Sequence, residues 1–238
     1  MKIVSWNCHY GLSQKKYDAI IELTPDILII HECKKPDFEL IKSKWKNKNF
    51  YNDDLYTDKS EYGSELGVAI FSDSFNIKFT DIFNRKYRYF IPYEISNNEI
   101  IINLFAVWIK PDDGNYLTPL YNAVDYYKEQ NMINDNTIII GDFNTFAKEN
   151  NERLVALEKK LSPLVNCANN FNNSSFYNEP TFNSARYGLG IDDFCFISKN
   201  FNCRNIKFIT HKDWKNENEI NRWNGSDHCP ISVEFDIN

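Results

Sequence analysis

Apolar and polar residues alternate along this chain in short runs that recur over its whole length. The runs "KIVSW", "DILIIH", "LGVAIFS", "FNIKFTDIF", "RYFIPYEI", "EIIINLFAVWI", "NTIIIGDF", "DDFCFIS", "NIKFIT" and "PISVEFDI" are rich in β-branched and aromatic residues and bounded by Asn, Asp, Gly or Pro. That pattern predicts strands, and so many of them imply more than one sheet. Three stretches follow helical spacing instead. "SQKKYDAIIELT" opens on a Ser cap and places Tyr17, Ile20, Ile21 and Thr24 on one side before "PD" stops it. "YLTPLYNAVDYYKEQN" aligns Leu117, Leu120, Tyr121, Val124 and Tyr127, and "NERLVALEKKL" aligns Leu154, Leu157 and Leu161.

Helices between strands predict a mixed α/β protein: two packed sheets with helices on their outer faces, which covers the apolar faces of both. No internal repeat and no Pro- or Ser-rich linker interrupts the chain, only polar loops such as "YNDDLYTDKSEYGSE" and "NCANNFNNSSFYNE". One domain over residues 1–238 is the simpler reading.

Composition narrows the class. With 42% hydrophobic and 16% aromatic residues, the chain is neither disordered nor fibrous. Its apolar runs fall well short of the roughly 20 residues that cross a bilayer, and "MKIVSWN" reads as a strand rather than a leader. We therefore expect a cytoplasmic protein with no membrane partner. The 6 cysteines form no CxxC pair, as suits a reducing compartment. The net charge of −6 offers no global field for a polyanion, so local cations or a bound metal would have to attract one.

Candidate chemistry gathers at strand ends. Asn7 follows the first strand and Glu32 ends the second; Asp142 and Asn144 sit in "GDFN", Asp193 begins "DFCFIS", and Asp227 and His228 precede the last strand. Each alone reads as a turn former or the end of a buried strand. Together they make a hard-cation site and an imidazole held by a carboxylate. Mg²⁺ takes a few carboxylate and amide oxygens and leaves positions for a phosphate oxygen. A histidine braced by Asp193 can donate to a phosphoryl oxygen as charge builds there.

The order "SWN", "HE" where QE is usual, "GSELGVAIFS", "GDFN", "PTF" before "IDDFCFIS", and "GSDHCP" resembles the endonuclease/exonuclease/phosphatase superfamily of Mg²⁺-dependent phosphoesterases, over essentially the whole chain. The resemblance implies a four-layer α/β sandwich with two mixed sheets flanked by helices. It implies Glu32 as the principal metal carboxylate, with Asn7 and Asp227 beside it and Mn²⁺ as a substitute for Mg²⁺. Asp142 would activate the attacking water, Asn144 would bind phosphate or fix Asp142, and His228 would contact the scissile phosphate with Asp193 behind it. Asp192 is the alternative to Asp193. Trp108 stands where the family has a His or Tyr; it can donate one hydrogen bond but cannot shuttle a proton, and Tyr116 is another candidate for that role. Cys8, Cys33 and Cys229 each follow a site residue, and strand alternation turns them into the core.

For the substrate, "NRKYRYFIPY" mixes Arg85, Lys86 and Arg88 with Tyr87, Tyr89 and Phe90, as single-stranded nucleic acid sites do. A strand with a solvated basic face explains it as well. The expectation is a nuclease acting on DNA or RNA. The alternatives are hydrolysis of a small phosphoester, an inositol phosphate or a lipid headgroup, or a non-catalytic binding module on the same fold.

Overall fold

The computed structural model describes residues 1–51, 66–110, 116–147, 152–170, 180–184, 188–209 and 225–237. The acidic stretch expected to form a surface loop at 52–65, and most of the polar loop beyond residue 170, lie outside the described residues.

The strands are β1 (Lys2–Asn7), β2 (Ile27–Lys34), β3 (Asn47–Tyr51), β4 (Leu66–Ser72), β5 (Asn76–Phe79), β6 (Phe90–Ser96), β7 (Ile101–Trp108), β8 (Thr137–Ala147), β9 (Val165–Asn166), β10 (Phe182–Ser184), β11 (Gly188–Ile197), β12 (Phe201–Phe208) and β13 (Ile231–Ile237). The helices are α1 (Gln14–Ile21), α2 (Lys35–Ile41), α3 (Leu117–Glu129) and α4 (Glu152–Leu161). The strands form two sheets, ordered β12-β13-β1-β2-β4-β3 and β10-β11-β8-β7-β6-β5, with β9 beside β11. Among the described residues, β1–β2 and β7–β8 pair in parallel and the other pairs are antiparallel, so both sheets are mixed as expected. With the helices flanking them, the sheets make an α/β sandwich.

Strand periodicity decides which residues enter which layer. Ile3, Ile27, Ile29, Val68 and Ile70 pack inward with Leu104, Phe105, Ile138 and Ile140 of the second sheet, in a core that also takes Leu120, Val124 and Tyr127 of α3 and Leu154, Leu157 and Leu161 of α4. Their neighbours Val4, Trp6, Leu28, Ile30, Ala69 and Phe71 face the other way, onto Tyr17 and Ile20 of α1 and Phe38 and Ile41 of α2. Cutting one such inward aliphatic to Ala costs about 2–5 kcal/mol, since both the transfer term and the cavity count.

Several boundaries depart from the sequence reading. Thr24 is not on the α1 face; the helix ends at Ile21, and Thr24 is an exposed left-handed residue at φ 49. The helix α2 was missed because seven residues are too few to display a period, although Pro36 in its first turn and buried Phe38 and Ile41 hold it in place. The strand β3 ("NKNFY") was missed because its polar side chains carry no alternation; it forms by pairing with β4. The strand expected to open at "RYF" starts at Phe90. Arg85–Tyr87 form one 3-10 turn capped by Asn84, whose Oδ1 accepts the Lys86 N–H at 3.0 Å.

All six cysteines are buried thiols outside any disulfide. Burial pushes the Cys8 thiol up to about 12, so it packs as a neutral group, as the alternation argument requires. Among the described residues, no helix is long and apolar enough to cross a membrane.

Candidate active site

The candidate residues arrive together because the strands carrying them are irregular at that end. Asn7 closes β1. Glu32 lies in β2 at φ 56, where the register with β4 shifts between Ile30 and Cys33. The β11–β8 register shifts between Ile191 and Asp193, which leaves Asp193 opposite Asp142. Bulges of this kind re-aim a side chain that simple alternation would send elsewhere. Asn144 takes φ 49, and such conformations cost non-glycine residues about 1–3 kcal/mol, which the surrounding packing must offset. Gly141 at φ 141 admits no side chain, because a Cβ there would lie 2.1 Å from the Val107 carbonyl and 3.0 Å from the His31 ring.

One amide joins the two sheets. The Asn7 Nδ2 donates to Glu32 Oε1 at 3.2 Å and to Asp142 Oδ2 at 3.0 Å. Asp142 is fully buried and also accepts from the Asn144 N–H (2.9 Å) and Nδ2 (3.0 Å), while the same Nδ2 reaches the Ile109 carbonyl at 2.7 Å. Burial raises the Asp142 carboxyl well above the ordinary carboxylate range, helped by Asp193 and Asp192 and opposed by His228 and the Asn7 amide.

The Nδ1 of His228 lies 2.9 Å from Asp193 Oδ2, and its Nε2 is 3.8 Å from Asp142 Oδ2. Between the two candidates of "IDDF", Asp193 is therefore the one that braces the histidine. Burial works against the imidazolium, but the Asp193 and Asp142 carboxylates outweigh it and hold His228 protonated well above its usual value. Its loop is pinned on all sides: Trp6 Nε1 donates to the His228 carbonyl (2.9 Å), the His228 N–H donates to Ser226 Oγ (3.1 Å), and the Ser226 hydroxyl donates to the Asn7 carbonyl (2.7 Å). Thr181 Oγ1 accepts the N–H groups of both Asp192 and Asp193. Asp142, Asp193 and His228 place one ligand atom each within 4.8 Å of one another. The trio is buried, and a protonated His228 between two carboxylates gives it a charge of its own that an incoming cation would have to displace.

The oxygens suited to a metal lie at the open edge. Glu32 Oε2 accepts the Tyr10 N–H at 3.1 Å, Asn7 Oδ1 accepts the His9 N–H at 3.1 Å, and Asp227 Oδ1 is 2.9 Å from His9 Nδ1. The other polar contacts around Asp227 lower its carboxyl in spite of burial, the His9 bond first among them. Behind this loop sits Lys16, a buried ammonium donating to the carbonyls of Cys8, His9 (3.4 Å) and Gly11 (3.1 Å). Burial lowers its proton affinity, and the nearby Glu32, Asp37 and Asp227 act to restore it.

The residues expected to bind substrate are less uniformly placed. Trp108 is opposite Asp142 in the parallel β7–β8 register and 3% exposed, with Lys110 Nζ 4.1 Å from its ring centroid. Arg88 lines a cleft with Tyr51, Leu66 and Trp108 that is too narrow for water, and its guanidinium donates to Tyr89 Oη at 3.0 Å. Arg85 is exposed on the 3-10 turn, which packs against α3. Sequence reasoning missed His9, Lys16 and Thr181. Thr181 stood within the quoted "PTF", whereas nothing in "NCHYGL" signals that His9 meets Asp227 across more than two hundred residues.

No protein-family model matches the sequence, and no curated protein matches it. Solved structures do share its fold. The 3' phosphatase NExo from Neisseria, bound to a product DNA hairpin, superposes with TM-score 0.68 at 15% identity, covering 99% of each chain. The human nocturnin catalytic domain with a bound sulfate anion gives TM-score 0.67 at 16% identity, over 100% of this chain and 94% of that one. The mannosyl-6-phosphatase of Bacteroides thetaiotaomicron gives TM-score 0.65 at 15% identity over 100% of both chains.

Proposed function

We propose that this chain, whose fold is that of the endonuclease/exonuclease/phosphatase superfamily, is a metal-dependent phosphodiester hydrolase acting on DNA or RNA. The observation that carries the reading is the facing pair of a buried, proton-seeking Asp142 and an Asp193-braced, protonated His228, tied through Asn7 to Glu32 at an open edge. Structural neighbours solved with product DNA, a hairpin in one and a single strand in another, support a nucleic acid substrate.

The donor set of Asn7 Oδ1, Glu32 and Asp227 is hard, oxygen-rich and partly solvent-facing, and it fits Mg²⁺ or Mn²⁺. When bound there, the ion would offset negative charge on the phosphoryl oxygens. Asp142 takes the proton of the attacking water; its raised proton affinity makes it a stronger base than an ordinary carboxylate. Asn144 and Asn7 fix the Asp142 oxygens, so one orientation is presented to the water. His228 donates from Nε2 to a phosphoryl oxygen, and Asp193 keeps that ring charged and aimed. Trp108, opposite Asp142 on β7, would offer an indole N–H toward the substrate, whereas Arg88, packed on Tyr89, is set aside as a substrate contact.

The test is cleavage of end-labelled single-stranded DNA, duplex DNA and RNA, in Mg²⁺ and in EDTA, with an Asp142 variant as contamination control. Metal-dependent cutting abolished by the variant upholds the reading. Failure to cut any polymer, with turnover of a small phosphomonoester or phosphodiester instead, overturns the nuclease part.

A further inference from the structure

We infer that Tyr10, Lys34 and Lys35 form the subsite for the nucleotide beside the scissile phosphate, its base stacked on Tyr10 and its phosphates against the two lysines. The substrate is then a single-stranded nucleic acid whose flank runs over α2. The inference rests on the nuclease reading of the site.

Charge is the first ground. A chain of net charge −6 must draw a polyanion with local cations. The segment "NRKYRYFIPY" does not gather them, since Arg88 is packed on Tyr89 and Arg85 sits on the turn against α3. Residues 34–48 do: six lysines stand against Asp37 and Glu39, a local surplus of +4. Both carboxylates are committed, Asp37 to the Leu12 N–H at 2.8 Å and Glu39 to Lys42. Among the described residues, Lys34, Lys35, Lys44, Lys46 and Lys48 make no ion pair, whereas Lys2, Lys160, Lys199 and Arg204 each meet a carboxylate. Lysines guard edge strands against stray pairing, which accounts for Lys48 on β3 but not for Lys34 and Lys35, where inner strand β2 passes into α2.

Placement ties the surplus to the active site. Lys34 and Lys35 follow Glu32 closely, and Asp37 anchors the first turn of α2, through Leu12, to the loop that carries His9 and Tyr10. The Lys34 stem lies against the same loop, where a Cβ on Gly11 would sit 3.2 Å from Lys34 Cδ. Beside Gly11 is Tyr10, 41% exposed, whose N–H holds Glu32 Oε2 at 3.1 Å. Its ring centroid is 4.5 Å from that of His9, which in turn bonds Asp227. An exposed ring and two ammonium groups thus border the oxygens proposed to hold the ion.

Stacking on an aromatic ring beside cations that track the backbone is how single strands are bound whatever their sequence, because every base has a π-face. A duplex keeps its bases stacked on one another and offers only phosphates. The competing account is a solvated lysine-rich face, which attracts any polyanion alike and gives Tyr10 no part.

Fluorescence anisotropy of the intact protein with labelled oligothymidylate, oligouridylate and a DNA duplex of equal length, in EDTA, separates the two. The wild type should bind a single strand about tenfold or more tightly than the duplex, and the tighter of the two strands identifies the sugar. Tyr10→Ala should weaken that binding about tenfold, and Tyr10→Phe should keep it. Tyr10→Leu serves where Tyr10→Ala fails to fold, since it fills the space without a π-face. The pair Lys34→Gln and Lys35→Gln should lower the slope of log affinity against log salt by about 1.4, at about 0.7 for each phosphate contact. The same charge change at exposed positions elsewhere, Lys78→Gln with Lys159→Gln, should leave the slope in place. Equal affinity for strand and duplex, or a Tyr10 variant without a ring that binds as the wild type does, or an unmoved slope in the Lys34 and Lys35 pair, overturns the subsite. Metal-dependent cutting leaves the nuclease reading standing in each of those cases. Neither binding nor cutting of any polymer overturns both.

Discussion

His228 Nε2 and Asp142 Oδ2 face each other across 3.8 Å, too far to bond and close enough for one oxygen atom to touch both. The gap persists because each group is held from behind, Asp142 by two asparagine amides and His228 by Asp193. On the proposed reading, the chain thus keeps its base and its acid apart at a fixed distance.

Asp142→Asn should lower kcat by about two to four orders of magnitude, the usual worth of a positioned base. Asp142 is fully buried within β8 and accepts three hydrogen bonds, so its replacement also costs stability. Asparagine turns an amide toward donors that lost their acceptor, at a cost of about 1–3 kcal/mol. Steady-state kinetics with parallel urea melts checks both parts, and an active variant removes Asp142 from the mechanism.

Asp193→Asn tests the acid. The Asp193 and Asp142 carboxylates raise the proton affinity of His228, so in the wild type the imidazolium survives well above its ordinary value. Without the Asp193 charge the ring loses its proton at lower pH, and the alkaline limb of kcat/KM against pH should move down. A limb that stays in place means that His228 is not the donor.

His31 offers a stability test that needs no substrate. The ring is buried 3.0 Å from Ser5 Oγ, and burial, aided by the His228 charge, lowers its pKa from 6.5 to about 3. Between those values the unfolded chain binds a proton that the folded chain refuses, so stability falls as pH drops below 6.5. The slope is about 1.4 kcal/mol per pH unit for one such proton. His228 is protonated in both states over that range and adds little. His31→Gln should therefore flatten the acid side of the stability curve, by about 2 kcal/mol between pH 6.5 and 5, as urea melts would show.

Trp108→Phe keeps a ring for Lys110 and the core while deleting the indole N–H. Its expected signature is a fall in kcat/KM of about tenfold, the worth of one hydrogen bond, with the melting temperature within a few degrees. Unchanged kinetics would reduce Trp108 to packing.

Much of this was readable in advance, for physical reasons. Alternation in "KIVSW" and "DILII" assigns Ile3 and Ile29 to one face and Val4 and Leu28 to the other, as the two cores bear out. The motif residues Asn7, Glu32, Asp142 and Asn144 share one hydrogen-bond network, and Asp193 meets His228. Periodicity is silent where pairing is set by a neighbour, as in β3, or where a helix is only about two turns long, as in α2. It is silent too about His9 and Lys16, whose placement depends on left-handed backbone at His9, Tyr10 and Gly11. Charge counting gathered Arg85 and Arg88 into one basic face, but the 3-10 turn leaves one exposed and packs the other against Tyr89.

The strand β13 lies between β1 and β12, and the Met1 amino group donates to the Phe235 carbonyl. The loop bearing Asp227 and His228 is fixed only once β13 has paired with β1, and pairings this distant in sequence form slowly. On the proposed reading, Asp142 therefore has no imidazolium facing it until that distant pairing is made.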